Sequence, residues 1–156
     1  MTKSLQVGNT VVDYPVQGTG AGHGEDATEW AQAVTDALAN FLGPNDILLT
    51  TANLANNATT PQVVPGLTFN TGQVQHINVE FLITRIYDLG ATTVVESGKI
   101  YGNFNGSDFR ISIDSTGDVT GVDFDITSGG QVTYTSSDLA DHQTSVVSFK
   151  ASTIDS

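Results

Sequence analysis

The residues in this sequence with types suited to chemistry are a glycine run, three histidines and a group of aspartates. The run Gly18-Thr19-Gly20-Ala21-Gly22-His23-Gly24 precedes an amphipathic stretch, where the free amides of a helix N-terminus would cradle a phosphate. Its spacing does not fit. Starting G-x-G-x-x-G at Gly18 puts His23 at the third glycine, and starting it at Gly20 puts Glu25 there. No Gly-Lys-[Ser/Thr] follows, and Glu25, Asp26 and Glu29 would repel an anion. The run reads as a hinge. His23, His76 and His142 share none of the short spacings of metal ligands. Asp114, Asp118, Asp123 and Asp125 fall along what reads as one hairpin, and carboxylates with turn carbonyls are the chemistry of a calcium site. That stretch lacks the alternate-position ligands of an EF-hand loop, and an acidic edge that discourages strand aggregation explains it equally well.

Other reaction classes find little support. The chain has no cysteine, which removes thiol catalysis, thiolate metal sites and disulfides together. No Gly-x-Ser-x-Gly and no distinct Ser-His-Asp set is present. A glycosidase-like carboxylate pair stays open, because such pairs meet in space and not in sequence. No catalytic residue, cofactor or metal is assigned, and the chain is read as a non-enzyme.

The positioning elements come in three regions. In residues 1–24 the chain has no helical period; Val11-Val12 and Tyr14-Pro15 precede the glycines, and the region reads as an extended arm with a hinge. Residues 25–43 read as an amphipathic helix. Asp26 and Glu29 have capping-box spacing, and Trp30, Ala33, Val34, Ala37, Leu38, Phe41 and Leu42 form one apolar face. Gly43-Pro44 ends it. Residues 44–156 read as an antiparallel β domain. Ile47-Leu48-Leu49 suggests a buried strand, and residues 51–66, with Pro61 and Pro65, a long loop. Period-two alternation then runs through Ile77, Val79, Phe81 and Ile83. It returns at Phe109, Ile111 and Ile113, at Val122, Phe124 and Ile126, at Val132 and Tyr134, and at Val147 and Phe149. Asn105-Gly106 predicts a type I′ hairpin, and turns are expected at Asp114–Gly117 and Gly129-Gly130. The predicted fold is mainly β: an antiparallel sandwich or small barrel, with one N-terminal amphipathic helix and an extended N-terminal arm.

Composition narrows the partners. Among 156 residues, 5 Lys+Arg stand against 17 Asp+Glu, a net charge of −12. That balance argues against nucleic acid and anionic membranes, since binding phosphate requires cations. No apolar segment follows Met1, so no signal peptide is expected, and no run is long enough to span a bilayer. Hydrophobic residues make up 38%, too many for a disordered acidic tail.

A resemblance adds to this. Val12–Thr19, Gly24–Ala31, Ala33–Leu38 and Gly43–Ile47, with Gly129–Ser136 and Val147–Ala151, resemble small accessory virion proteins of tailed bacteriophages. The resemblance implies a structural part of the particle, located in the virion: a capsid decoration (cement) protein, or a collar, tail-fibre or receptor- and glycan-binding component. It also implies other virion proteins as partners and a homotrimer as the assembly. Docking through arm and helix would use Val11, Val12, Tyr14, Trp30, Val34, Leu38 and Phe41. A binding module and a polysaccharide-acting enzyme stand as the other classes. Exposed loop aromatics would mark the first, yet Tyr87, Tyr101 and Tyr134 fall on predicted strands.

Overall fold

Alternating side chains build the core. Ile77, Val79, Phe81 and Ile83 are all buried along one strand face, each contributing roughly 1.5–3 kcal/mol from burial. The computed structural model describes residues 2–7, 10–15, 30–35, 43 and 45–155. The chain divides into two units, Met1–Pro44 and Asn45–Ser156.

In the first unit, strands β1 (Thr2–Val7) and β2 (Thr10–Pro15) pair antiparallel, with Val7 opposite Thr10. The expected arm is therefore extended, but its strands bond to each other as a hairpin, a pairing the sequence pattern did not signal. Residues 30–35 are helical. The remainder of the predicted helix and the glycine hinge at 18–24 lie outside the described residues.

The second unit holds two antiparallel sheets. The strands are β3 (Ile47–Asn53), β4 (Gln62–Thr68), β5 (Val74–Tyr87), β6 (Thr92–Phe104), β7 (Phe109–Gly117), β8 (Val122–Ile126), β9 (Gln131–Ser136) and β10 (Thr144–Asp155). One sheet runs β3-β10-β5-β6-β7 and the other β4-β9-β8. Their inner faces share one core, in which Val147 and Phe149 of β10 join Val64 and Leu67 of β4 and Val132 of β9. Phe81 meets Phe124 across the sheets edge to face, ring centres 5.1 Å apart, a favoured aromatic geometry. The predicted sandwich is the observed architecture.

Several local expectations change. Leu48 and Leu49 are 65% and 76% exposed, so the apolar run Ile47-Leu48-Leu49 opens an outer strand and not a buried one. The expected loop over 51–66 shrinks to residues 54–61, since β3 reaches Asn53 and β4 starts at Gln62. Pro65 is tolerated because β4 is an edge strand. There the register shifts between Val63 and Thr68, with Gly66 at φ +82°, a bulge that puts Val64 and Leu67 both inside. The Asn105-Gly106 connection is not the two-residue type. Only Gly106 of that pair has positive φ, and Asn105 Oδ1 accepts from the amides of Ser107 (3.0 Å) and Asp108 (2.9 Å) in a longer loop. Asp114–Gly117 is part of β7, not a turn. The turn at Gly129-Gly130 does join β8 to β9, closed by Gly130 N–H donating to Thr127 O at 2.9 Å.

Gly98 lets β6 and β7 approach over Phe81. A Cβ there would press on the Asp114 carbonyl and lie 2.7 Å from Phe81 Cζ and 2.9 Å from Ser115 Cα. Gly98→Ala is therefore expected to destabilise the unit by about 1–3 kcal/mol in urea denaturation. Gly129→Ala, whose Cβ would meet only Thr127 Oγ1 at 3.7 Å, should change stability by less than about 0.5 kcal/mol.

Candidate functional site

The inner-face row of β5 does not end at Ile83. Arg85 follows in the same alternation and is fully buried, 0% exposed. A buried guanidinium is costly unless its donors are all engaged, and here they are. Nε donates to Ser145 Oγ (2.9 Å) and Nη1 to Thr120 O (2.7 Å) and Ser137 Oγ (3.2 Å). Nη2 donates to Asn56 Oδ1 (2.8 Å) and Ser137 O (2.9 Å). Burial lowers the Arg85 pKa and the nearby Asp138 charge opposes that shift; an arginine stays cationic at neutral pH in either case.

These bonds gather four segments at one end of the sandwich. Asn56 lies between β3 and β4, Thr120 between β7 and β8, Ser137 after β9, and Ser145 in β10. The Asn56 amide also donates to Asp138 Oδ1 at 2.8 Å. Gly121 has φ +69°, and a Cβ there would collide with the Ser137 side chain, so glycine alone fits beside the guanidinium. The neighbouring connection between β5 and β6 is tight, with positive φ at Asp88 (55°), Leu89 (54°) and Gly90 (90°). The Asp88 amide donates to Ala140 O at 3.2 Å. Successive non-glycine residues in this region carry strain of roughly 1–2 kcal/mol each. At this end Leu89 is 79% and Val119 93% exposed.

A Ser–His contact also lies here: His142 Nε2 is 2.8 Å from Ser145 Oγ. Ser145 is buried and its oxygen accepts from Arg85. A nucleophile needs access, and Ser145 has almost none.

The aspartates do not converge on one hairpin. Asp114 is on β7, and Asp118, just past it, accepts from the Val95 amide at 2.8 Å. Asp123 and Asp125 are on β8 in the other sheet. Among the described residues no three of His, Asp and Glu are placed to hold a metal ion.

The outer face of the five-stranded sheet carries a charge row. Glu80 on β5 bridges Lys150 of β10 (2.8 Å) and Lys99 of β6 (3.3 Å), and Lys99 stands opposite Asp114 of β7. Hydrogen bonds from Lys150, then from Lys99, hold the Glu80 carboxyl below its ordinary value. The contribution of this network is present above the titration of the unfolded carboxyl and is lost as pH falls through the folded one. A surface depression of about 410 Å³ adjoins the row between β6 and β7, lined by Ser97, Lys99, Asp114 and Thr116 among others.

Of the predicted interface residues, Val11, Val12 and Tyr14 lie on β2, opposite Gln6, Leu5 and Lys3. Trp30 and Val34 lie on the helical residues 30–35; Trp30 is 37% exposed and Val34 half-buried. Leu38 and Phe41 lie outside the described residues. Sequence reasoning missed Arg85 altogether, although its place two residues past Ile83 was the signal.

No family model matches this chain, and no curated protein does. Among solved structures, the chain is similar to the tailspike protein of Acinetobacter phage vB_ApiP_P1, at 12% identity and a TM-score of 0.41. The match covers 70% of this chain and 21% of the tailspike chain, so this chain spans about a fifth of that protein's length. A likeness of this size fixes neither fold nor function.

Two measurements check the site. Arg85→Lys keeps the charge but leaves several buried acceptors unpaired, and should cost about 3–5 kcal/mol in denaturant unfolding. Replacing both Lys99 and Lys150 with Met should raise the Glu80 titration toward an ordinary carboxylate, read by carboxyl-carbon NMR across acid pH.

Proposed function

We propose that this chain is a non-enzymatic structural protein of a tailed-phage virion: a capsid decoration protein attached through its N-terminal region. The virion assignment rests on the resemblance in sequence to accessory virion proteins. The observation that carries the division of labour is that the 45–156 unit is complete in itself. It closes its own core between two sheets. Its chain enters beside the end of β10, where Thr153 N–H donates to Asp46 Oδ1 at 2.7 Å and the Asn45 amide donates to Asp155 at 3.1 Å. A body of this kind can be carried on a preceding anchor. The non-enzymatic reading is supported by the Ser–His contact, whose serine is sealed against Arg85.

A tail-fibre or receptor-binding role is the second reading. It is favoured by the loop end that Arg85 fixes, where the left-handed turn at Asp88–Gly90 presents Leu89. Rigid loops on a scaffold are a common form for contact sites.

Cryo-EM of the particle distinguishes the two by placing density for this chain on the shell or on the tail; its absence from both would overturn the virion reading. Deleting residues 1–44 should leave cooperative unfolding of the β unit intact and remove sedimentation with particles. Retained attachment would move the docking surface to the β unit.

A further inference from the structure

The two sheets have four outer strands, and among the described residues three of them carry a device that blunts an edge. β7 bears Arg110 and Asp114, β8 bears Asp123 and Asp125, and β4 is broken by Pro65 and left-handed Gly66. Charges, proline and bulges on an edge are how folded proteins avoid pairing with further strands. β3 differs. Its seven residues, Ile47-Leu48-Leu49-Thr50-Thr51-Ala52-Asn53, contain no charge, proline or glycine and include the strand formers Ile47, Thr50 and Thr51. Leu48 and Leu49 are largely exposed. The Thr50 hydroxyl donates to Leu48 O at 2.9 Å, the kind of local substitute a side chain offers to backbone at an edge.

We infer that β3 is a pairing edge for a second copy of this chain, joined antiparallel about a two-fold axis near Thr50. A self-complementary register argues for a second copy as the occupant. At −12 two copies repel over most approaches, and β3 is the outer strand of the β unit that brings no charge to the contact. Two-fold pairing centred on Thr50 sets Ile47 opposite Asn53 of the second copy, and Asp46 opposite its Leu54 rather than its Asp46. Like charges therefore do not meet across the ladder. Each Leu48 and Leu49 gains an uncharged neighbour, and the five-stranded sheet continues through the contact as one of ten strands. An isologous contact of this kind closes at two copies, unlike the trimer expected from the sequence, and it does not depend on the virion reading.

Sedimentation velocity and light scattering on the full chain at micromolar concentration should give twice the chain mass. Leu49→Lys puts a charge on each side of the axis at an exposed position and should return the mass of one chain that still unfolds cooperatively, at a Tm that no longer rises with protein concentration. Because the sequence has no cysteine, Thr50→Cys tests the geometry directly: facing Cα atoms about 4.5–5.5 Å apart are within disulfide reach. Mild oxidation should crosslink Thr50→Cys into a dimer and leave Ile113→Cys, on the β7 edge, uncrosslinked. A wild-type monomer or trimer, a dimer that survives Leu49→Lys, or equal crosslinking of both cysteine variants would overturn the inference.

Discussion

A buried guanidinium with no carboxylate in hydrogen-bonding contact is the constraint around which one end of the β unit is organised. Removing such a cation from water costs several kcal/mol, and partial satisfaction does not offset it. Arg85 therefore fixes the positions of all its acceptors at once: an asparagine side chain, two serine hydroxyls and two backbone carbonyls, drawn from four separate segments. The dependence runs both ways. The carbonyls of Thr120 and Ser137 each take a guanidinium hydrogen, so the loops need the arginine as the arginine needs them.

Neutral groups close other parts of the unit. Tyr134 Oη accepts from the Ala55 amide at 2.7 Å, and Ser136 Oγ accepts from the Ala58 amide at 3.0 Å. These bonds pin the Asn- and Ala-rich connection onto β9. At the opposite end Asn105 closes the β6–β7 loop with its own side chain, and Phe69 donates to Gly130 O at 2.9 Å. Each of these involves few segments. The Arg85 end differs in being cooperative: low dielectric strengthens a complete network and penalises an incomplete one.

Much of the sandwich is legible in sequence because one face of most strands is wet. Ile77, Val79, Phe81 and Ile83 announce β5 by alternation, and Val122 with Phe124 does the same for β8. Arg85 continues the β5 row but reads as polar, because a charged side chain at an inner position looks like the end of the pattern until its acceptors are known. β4 is obscured for a backbone reason: its bulge at Pro65-Gly66 breaks the period, so Val64 and Leu67 no longer alternate. Leu48-Leu49 misleads in the other direction. An apolar pair implies burial only when a second layer covers it, and β3 is the last strand of its sheet. The acceptors of Arg85 lie as far as 60 positions along the chain, beyond any local spacing rule.

The placement of β10 has a consequence for how the molecule is made. This strand is the last in chain order, yet it lies between β3 and β5, with Val147 opposite both Ala52 and Ile83. During synthesis β5, β6 and β7 can zip together through neighbouring connections as they emerge. β3 has no partner in its sheet until residues near 147 have left the ribosome. The nascent chain therefore passes through a stage in which an uncharged strand and one flank of β5 wait uncovered, and sheet closure is a late, long-range step. Topologies of this sort fold slowly for their size, and the waiting interval is when a chaperone has most to shield.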